Sequence, residues 1–171
     1  MHEFLQASTS CERPMPAEDS ALPSGLPQLS ENSGRNTRNF IEVAAGLVFR
    51  EQKLLITQRR CQDHLGGLWE FPGGKREPSE TFEDCLRREL GEELGIEVEV
   101  GPLLESITHE YPDKAVALKF FRCLWIKNEP KLIGCQAFAW VSSADLASYS
   151  FPAADGRLLE KMRAAPEAWF R

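Results

Sequence analysis

Hydrophobic residues in this chain follow a regular pattern only from Phe40 onward. Two runs of apolar and β-branched residues, 40–49 and 53–58, are separated by Arg50-Glu51-Gln52, which predicts a β-hairpin. Strands and helices then interleave without a regular strand–helix–strand repeat, so we expect a mixed β-sheet with helices on its faces. The further strands are predicted at 68–71, 96–111, 115–125 and 136–141, and the helices at 81–94, 144–149 and 156–164.

Residues 1–38 follow neither the helical nor the strand period. They are rich in Ser, Pro, Glu, Asn and Gly, with only scattered apolar residues. Such a segment cannot bury enough apolar surface to offset the entropy lost on ordering. We therefore predict a disordered N-terminal tail over 1–38 and one folded domain over 39–171. A chain of 171 residues with 42% hydrophobic content is long enough to bury one sizeable core.

Charge and cysteine content narrow the class of protein. The formal net charge of −6 argues against a nucleic acid polymer as partner, although a single nucleotide can be carried in with a metal ion. Five cysteines without a Cys-x-x-Cys pair predict reduced thiols rather than a zinc site or a disulfide framework. Because no secretory signal or membrane-length apolar run is present, we expect a cytoplasmic protein without a membrane partner. A monomer or a homodimer is expected, and the sequence leaves the choice between them open.

The first predicted helix carries carboxylates on its apolar side. Ser79 is predicted to cap its start, and Gly95 is predicted to end it in the left-handed conformation. On a helical wheel, Glu89 and Glu93 fall inside the apolar sector and Glu92 lies at its margin. The apolar residues of that sector are Phe82, Cys85, Leu86, Leu90 and Leu94.

Carboxylates that face a core are costly unless they are paired or bound to a metal. Three of them at positions i, i+3 and i+4 also repel one another. A hard divalent cation relieves both costs, and Mg²⁺ prefers oxygen ligands while sharing its coordination shell with substrate phosphates. From this helix alone, an ordinary charged helix remains the alternative to a metal site.

The loop before the helix favours the metal site. It contains Phe71-Pro72-Gly73-Gly74, whose glycines suit a backbone that passes close to a ligand. Gly74 is followed by five residues, Glu80, seven residues and Arg88-Glu89-Leu90-Gly91-Glu92-Glu93-Leu94-Gly95-Ile96. This spacing matches every fixed position of the Nudix box. Residues 41–162 resemble the MutT branch of that superfamily, with support from LLITQR (54–59), LWEFPGGK (68–75), EYPD (110–113) and FPAAD (151–155).

The resemblance implies an α/β protein with the Nudix fold, an α/β/α sandwich around a mixed β-sheet. It implies an enzyme that uses Mg²⁺, for which Mn²⁺ can substitute, to hydrolyse a nucleoside triphosphate to the monophosphate and pyrophosphate. Sanitation of oxidised nucleotides such as 8-oxo-dGTP is the expected role. Two alternatives stay open: a non-catalytic module that binds a nucleotide or 8-oxoguanine, and a hydrolase of another nucleoside diphosphate derivative.

By position, the resemblance also assigns candidate catalytic residues. Glu89, Glu92 and Glu93 are the implied metal ligands, and the carbonyl of Gly73 completes the metal site. Arg88 and Glu80 are implied to orient the loop and the helix through a charge-assisted contact, and Glu80 could also assist catalysis. The implied catalytic residues are Glu80, Arg88, Glu89, Glu92 and Glu93.

The nucleoside is expected near Arg59, Phe71, Lys114 and Asp155. Bacterial members specific for 8-oxo-dGTP carry asparagine at the last of these positions. An ionised aspartate can only accept hydrogen bonds, which favours an amine such as that of cytosine, whereas a protonated aspartate can imitate asparagine. The base is therefore left open. Core packing is the alternative role for Phe71, and capping of the following helix is the alternative for Asp155.

The general base is not assigned by the sequence. Close relatives of the resembled branch often carry a glutamate six residues before a tryptophan that matches Trp140. Here that position is Gly134.

Overall fold

The computed structural model describes residues 4–6, 39–110 and 114–169. In this part of the chain the strands are β1 (Phe4–Gln6), β2 (Asn39–Arg50), β3 (Lys53–Gln58), β4 (Trp69–Glu70), β5 (Gly73–Lys75), β6 (Glu97–Glu110), β7 (Lys114–Lys127) and β8 (Ala137–Val141). The helices are α1 (Phe82–Leu94), α2 (Gly156–Ala164) and α3 (Pro166–Trp169), with short 3-10 helices at Leu146–Ser148 and Ala153–Asp155.

These strands form one sheet in the order β1-β8-β3-β2-β7-β6, with β4 paired to β3 and β5 paired to β2. β2 and β7 run parallel, and the other pairs are antiparallel. The prediction of a mixed sheet is therefore confirmed. The central strands β2 and β7 come from distant parts of the sequence, and their parallel pairing brings the two halves of the domain together.

Both faces of the sheet are covered. Alternating side chains of β2 enter two separate apolar clusters: Ala44 and Val48 pack on the side of α1, whereas Ala45 and Leu47 pack on the side of α2. The apolar stripe of α1 is buried, as the helical spacing predicted, and the apolar residues Leu158, Leu159 and Met162 of α2 are buried as well. The molecule is thus the predicted α/β/α sandwich, with α1 on one side of the sheet and α2 on the other.

The start of α1 differs from the prediction. Thr81, not Ser79, is the N-cap, and its hydroxyl accepts a hydrogen bond of 3.1 Å from the backbone of Asp84. Ser79 lies in a preceding turn that is closed by the Glu80 side chain, so the helix can begin only after that turn. The predicted end is confirmed, since Gly95 has a φ of 69° in the left-handed region.

Four further elements differ from the prediction. The segment 144–149 forms only a 3-10 helix at Leu146–Ser148. The strand β5 and the helix α3 were not predicted, because glycines and a four-residue segment carry no periodic signal. β1 pairs with β8, so these three residues depart from the predicted disordered tail. The rest of 1–38, and 111–113 at the end of a predicted strand, lie outside the described residues.

The thiol prediction holds in part. Cys85, Cys123 and Cys135 are free and buried. Cys61, exposed in the loop after β3, is disulfide-bonded, so the prediction is wrong there. An exposed loop sulfur can pair with a distant cysteine, which sequence spacing does not reveal. Cys11 lies outside the described residues. Within those residues, no helix is both long enough and apolar enough to span a membrane.

Candidate active site

The glycines of the loop before α1 allow two close approaches. Gly73 pairs with Ala45 of β2 and has a φ of 152°, and a Cβ on it would lie 2.1 Å from the carbonyl oxygen of Ala44. A Cβ on Gly74 would lie 2.2 Å from the carboxyl carbon of Glu89. Because neither side chain could fit, the two glycines let β5 lie against β2 on one side and against the Glu89 carboxylate on the other.

Arg88 joins this loop to the helix. Its Nη2 and Nε donate to the two carboxylate oxygens of Glu80 at 2.7 and 3.1 Å, and Nη2 also donates to the carbonyl of Lys75 at 3.2 Å. Its Nη1 donates to Glu89 at 2.8 Å. The hydrogen bonds from Arg88 lower the pKa of Glu80 to about 2, so Glu80 is ionised at neutral pH. Arg88 and Glu80 thus make the charge-assisted contact that the resemblance implied.

The three glutamates among the candidate metal ligands differ in their surroundings. The Glu89 side chain is 15% exposed and bound by Arg88, whereas the Glu92 side chain is 63% exposed and lies 3.3 Å from Arg88. Glu93 is half-buried, and no hydrogen bond from the described residues reaches its carboxylate. Burial, followed by the charges of Glu70 and Glu89, raises the pKa of Glu93 to about 7.

These carboxylates do not form a closed cluster. Across 39–110 and 114–169, no three His, Cys, Asp or Glu side chains converge closely enough to hold a metal ion. The donor set nevertheless suits a hard divalent cation, because Glu89 and Glu93 are carboxylates one helical turn apart on the buried side of α1. The Glu93 carboxylate in particular is shielded from solvent and accepts no hydrogen bond from the described residues, so a bound cation would balance its negative charge. The residues present therefore fit a divalent metal.

A cavity of about 290 Å³ adjoins this end of the loop. Its apolar wall comes from β2 and β7, on the sheet face opposite α1. The cavity is thus mostly apolar with a few polar groups, as sites for small molecules usually are. The structure brings together in its lining all four predicted substrate-binding residues and one predicted metal ligand: Arg59, Phe71, Lys114, Asp155 and Gly73.

Asp155 is the most deeply buried polar group in that cavity. It is 5% exposed, and burial, with a contribution from the charge of Glu70, raises its pKa to about 7. Although it occupies the N-cap position of α2, its side chain makes no capping hydrogen bond there. No described residue donates to its carboxyl group elsewhere either. The alternative that Asp155 is a helix cap is therefore not supported.

Phe71 packs in the core and also borders the cavity. It is 4% exposed and packs edge-on against Phe120, with ring centroids 5.8 Å apart. Its ring is tilted by 34° against that of Phe151, with centroids 5.2 Å apart. It also lines the cavity. Phe71 therefore belongs to the core and forms one wall of the pocket.

Glu70 is a site residue that the sequence reasoning missed. It lines the cavity, accepts a hydrogen bond of 2.7 Å from Nη1 of Arg59, and has a pKa raised by burial against the opposing effect of Arg59. Its charge contributes to the raised pKa values of both Glu93 and Asp155, so it lies between the two ends of the site. The available signal was a single charged residue inside the otherwise apolar run 68–71.

The loop between β3 and β4 adds two further cavity residues that no sequence pattern indicated, His64 and Leu65. The carbonyl of His64 accepts a hydrogen bond of 2.7 Å from Nε of Arg59. This bond holds Arg59 in place along the pocket wall. A second, larger cavity of about 600 Å³ lies beside Phe49 and Arg50 at the end of β2, and none of the predicted site residues lines it.

Comparison with known proteins identifies the family of this chain. The NUDIX domain model matches residues 44–161. The chain is 44% identical over 90 residues to the 8-oxo-dGTP diphosphatase of Proteus vulgaris, covering 52% of this chain and 80% of that protein. It is 38% identical over 125 residues to the CTP pyrophosphohydrolase of Escherichia coli (strain K12), covering 73% and 93%. The solution structure of the E. coli ORF135 protein superposes with a TM-score of 0.66 at 34% identity, covering 80% and 97%.

Proposed function

The chain belongs to the NUDIX domain family as a MutT-like hydrolase, and we propose that it converts nucleoside triphosphates to monophosphates and pyrophosphate with Mg²⁺. The family generally needs a divalent metal ion. In the proposed reaction a water oxygen bonds to a phosphorus of the triphosphate, and the bridging P–O bond to the leaving group breaks. The two alternatives, a binding module and a hydrolase of another nucleoside diphosphate derivative, are outcomes that the experiment below separates.

The observation that carries the proposal is that two kinds of group lie at or beside one pocket. At one end, Gly73 and Gly74 line the pocket, and Gly74 also lies against the Glu89 carboxylate of α1, so oxygen donors for a cation lie beside the pocket. At the other end, Asp155 is a buried carboxyl without a described hydrogen-bond partner. A nucleotide has matching ends, with phosphates for the cation and a polar base edge for the buried carboxyl.

We assign the residues the following parts. Glu89, Glu92 and Glu93, with the Gly73 carbonyl, would hold the cation, which when bound neutralises phosphate charge and activates water. Arg88 and Glu80 hold the loop against the helix through their paired hydrogen bonds. The side chains of the cavity bind the nucleoside and exclude water from it; these are Arg59, Phe71, Lys114 and Asp155.

The preferred base follows from the protonation of Asp155. With a pKa of about 7, this carboxyl is partly protonated at neutral pH. A protonated carboxyl both donates and accepts, so it can bind the N7–H and O6 edge of an 8-oxopurine. Sanitation of 8-oxo-dGTP is therefore the proposed role, in the cytoplasm. The ionised form only accepts and suits the amine of cytosine, which makes CTP the second candidate substrate.

The full-length chain should be assayed against 8-oxo-dGTP, dGTP, CTP and a sugar-linked nucleoside diphosphate in Mg²⁺. We expect the monophosphate and pyrophosphate as products, with 8-oxo-dGTP preferred over dGTP, and no turnover in EDTA. Glu93→Gln should lose turnover by orders of magnitude. The matched control is Glu97→Gln, since this side chain is 59% exposed and pairs with Lys127 on the surface.

Each other outcome rejects the proposal. Cleavage of the sugar-linked diphosphate alone would make the protein a hydrolase of another nucleoside diphosphate derivative. Tight nucleotide binding without products would make it a binding module. Turnover that survives EDTA, or a Glu93→Gln variant as active as Glu97→Gln, would remove the metal assignment.

A further inference from the structure

The segment 130–135, between β7 and β8, crosses the C-terminal turn of α1. The backbone N–H of Lys131 donates to the carbonyl of Leu94 at 2.8 Å. The N–H groups of Ile133 and Gly134 donate to the carbonyl of Glu93 at 3.2 and 2.8 Å. The last carbonyls of a helix lack partners within the helix, so this segment supplies them from outside. It thereby binds the end of the helix that carries the candidate metal ligands.

At Gly134 the segment touches the helix so closely that a side chain has no room. A Cβ there would lie 2.7, 2.8 and 2.9 Å from Cγ, Cβ and Cα of Glu93. The φ of Gly134 is outside the left-handed region, so space, not backbone conformation, requires glycine. Rotation about χ1 could move Cγ away, but the Cα and Cβ of Glu93 move only with the helix. A larger residue must therefore push the segment and α1 apart.

This contact also decides where the stem of the Glu93 side chain can lie. No hydrogen bond from 39–110 or 114–169 holds its carboxylate, so packing against the stem is what restricts its direction. The segment is itself held at two places. The guanidinium of Arg60 donates to the carbonyl of Ile133, and Cys135 is buried in the core on the side of α1.

We propose that Gly134 is a positioning residue for the metal site: by lying directly on the stem of Glu93, it directs that carboxylate toward the cation. The inference rests on Glu93 being a metal ligand, which is part of the proposed function. It also accounts for the missing glutamate at this position. A glutamate at 134 would place its Cβ in the same contact, so with the segment in this position no general base can be carried there.

The test is Gly134→Ala, with Gly91→Ala as the matched control. Gly91 lies two residues before Glu93 in α1, and an added Cβ there would have no described atom within 4 Å apart from its chain neighbours and the backbone of its own helix. Mn²⁺ binding to the full chain is measured without nucleotide, by electron paramagnetic resonance of the free ion, with thermal unfolding in parallel. We expect Gly134→Ala to bind Mn²⁺ about tenfold more weakly, as when a support of a metal ligand is lost. Gly91→Ala should bind Mn²⁺ like the wild type.

Arg60→Ala is a second variant that loosens the segment without a clash. Arg60 lies near enough to Glu93 to lower that carboxyl's pKa, against the larger opposite effect of burial. Loss of this positive charge alone would make Mn²⁺ bind more tightly. Loss of positioning makes Mn²⁺ bind more weakly. The sign of the change therefore separates the two effects, and we expect weaker binding.

Wild-type Mn²⁺ affinity in a folded Gly134→Ala protein would overturn the inference. If that variant does not fold, unchanged or tighter Mn²⁺ binding in Arg60→Ala overturns it. A wild-type protein that binds no Mn²⁺ removes both the metal assignment and the inference. A wild-type protein that binds Mn²⁺ with the expected dependence on Gly134, yet cleaves no triphosphate, supports the positioning role and rejects only the proposed substrate.

Discussion

Replacing Asp155 by asparagine should remove a pH-dependent loss of stability. In the folded protein, burial and then the charge of Glu70 raise the pKa of Asp155 from 3.8 to about 7. At pH 3 the carboxyl is protonated in both the folded and the unfolded chain, so it contributes no difference. Between pH 4 and 7 the folded protein keeps a proton that the unfolded chain releases, so the free energy of unfolding falls as pH rises.

The size of the effect follows from the shift in pKa. A shift of about 3 units at about 1.4 kcal/mol each is a penalty of about 4 kcal/mol above pH 7. This is large beside a total stability of about 5–15 kcal/mol. Because asparagine cannot ionise, Asp155→Asn should be more stable than the wild type by up to about 4 kcal/mol at pH 8. At pH 4.5 the two proteins should differ by only about 1 kcal/mol.

Urea unfolding followed by tryptophan fluorescence at pH 4.5, 6 and 8 measures this difference. Glu160→Gln is the matched control, because it makes the same change of carboxylate to amide at an exposed position of α2. The control should keep the pH dependence of the wild type. Equal pH dependence in Asp155→Asn and the wild type would refute the claim that Asp155 is buried and ionises near neutral pH.

Two variants of Asp155, Asp155→Asn and Asp155→Ala, test whether this residue recognises the base. Asp155→Asn should favour 8-oxo-dGTP over cytosine nucleotides at every pH, because asparagine donates and accepts irrespective of pH. Asp155→Ala should weaken the specificity constant for preferred substrates by about 1–3 kcal/mol, the cost of a lost buried hydrogen-bond partner. If both variants ranked the nucleotides as the wild type does, Asp155 would not read the base.

Three other perturbations have defined outcomes. Chelation by EDTA should abolish turnover, and either Mg²⁺ or Mn²⁺ should restore it; activity restored by neither ion contradicts the metal assignment. Glu70→Gln should lower the pKa values of Glu93 and Asp155, since Glu70 contributes to raising both. The pH–rate profile of that variant should therefore shift to lower pH, and an unshifted profile would separate Glu70 from the site. In a reducing buffer, which removes the Cys61 disulfide from both proteins, deletion of 1–38 should leave turnover nearly unchanged and lower the melting temperature by less than about 5 °C, because β1 adds only a three-residue pairing at the edge of the sheet. A larger drop would show that the segment packs on the domain.

Local patterns in the sequence determined most of the secondary structure and the residues of the box. The 3.6-residue spacing placed the apolar stripe of α1, and Gly95 marked its end, because both signals depend on residues within one or two turns. The predicted N-cap was wrong because local signals could not choose between two suitable residues. Ser79 and Thr81 both suit an N-cap, and the choice depended on the Glu80 side chain closing the preceding turn.

Other properties were decided by residues far apart in the chain. Periodicity could not distinguish a helix-capping Asp155 from a buried one, because its burial depends on the pocket formed with β2 and β7. Glu70 belongs to the site because it accepts a hydrogen bond from Arg59 and because its charge acts on both Glu93 and Asp155. At position 134 the sequence showed only that glutamate is absent. The contact of Gly134 with Glu93 is tertiary, because it depends on the packing of the segment 130–135 against α1. The sequence alone determined which chemical groups the protein has, since composition and spacing are local. Burial and closeness are set by packing between distant segments, so only the tertiary structure decided which of those groups are shielded, raised in pKa or held in position.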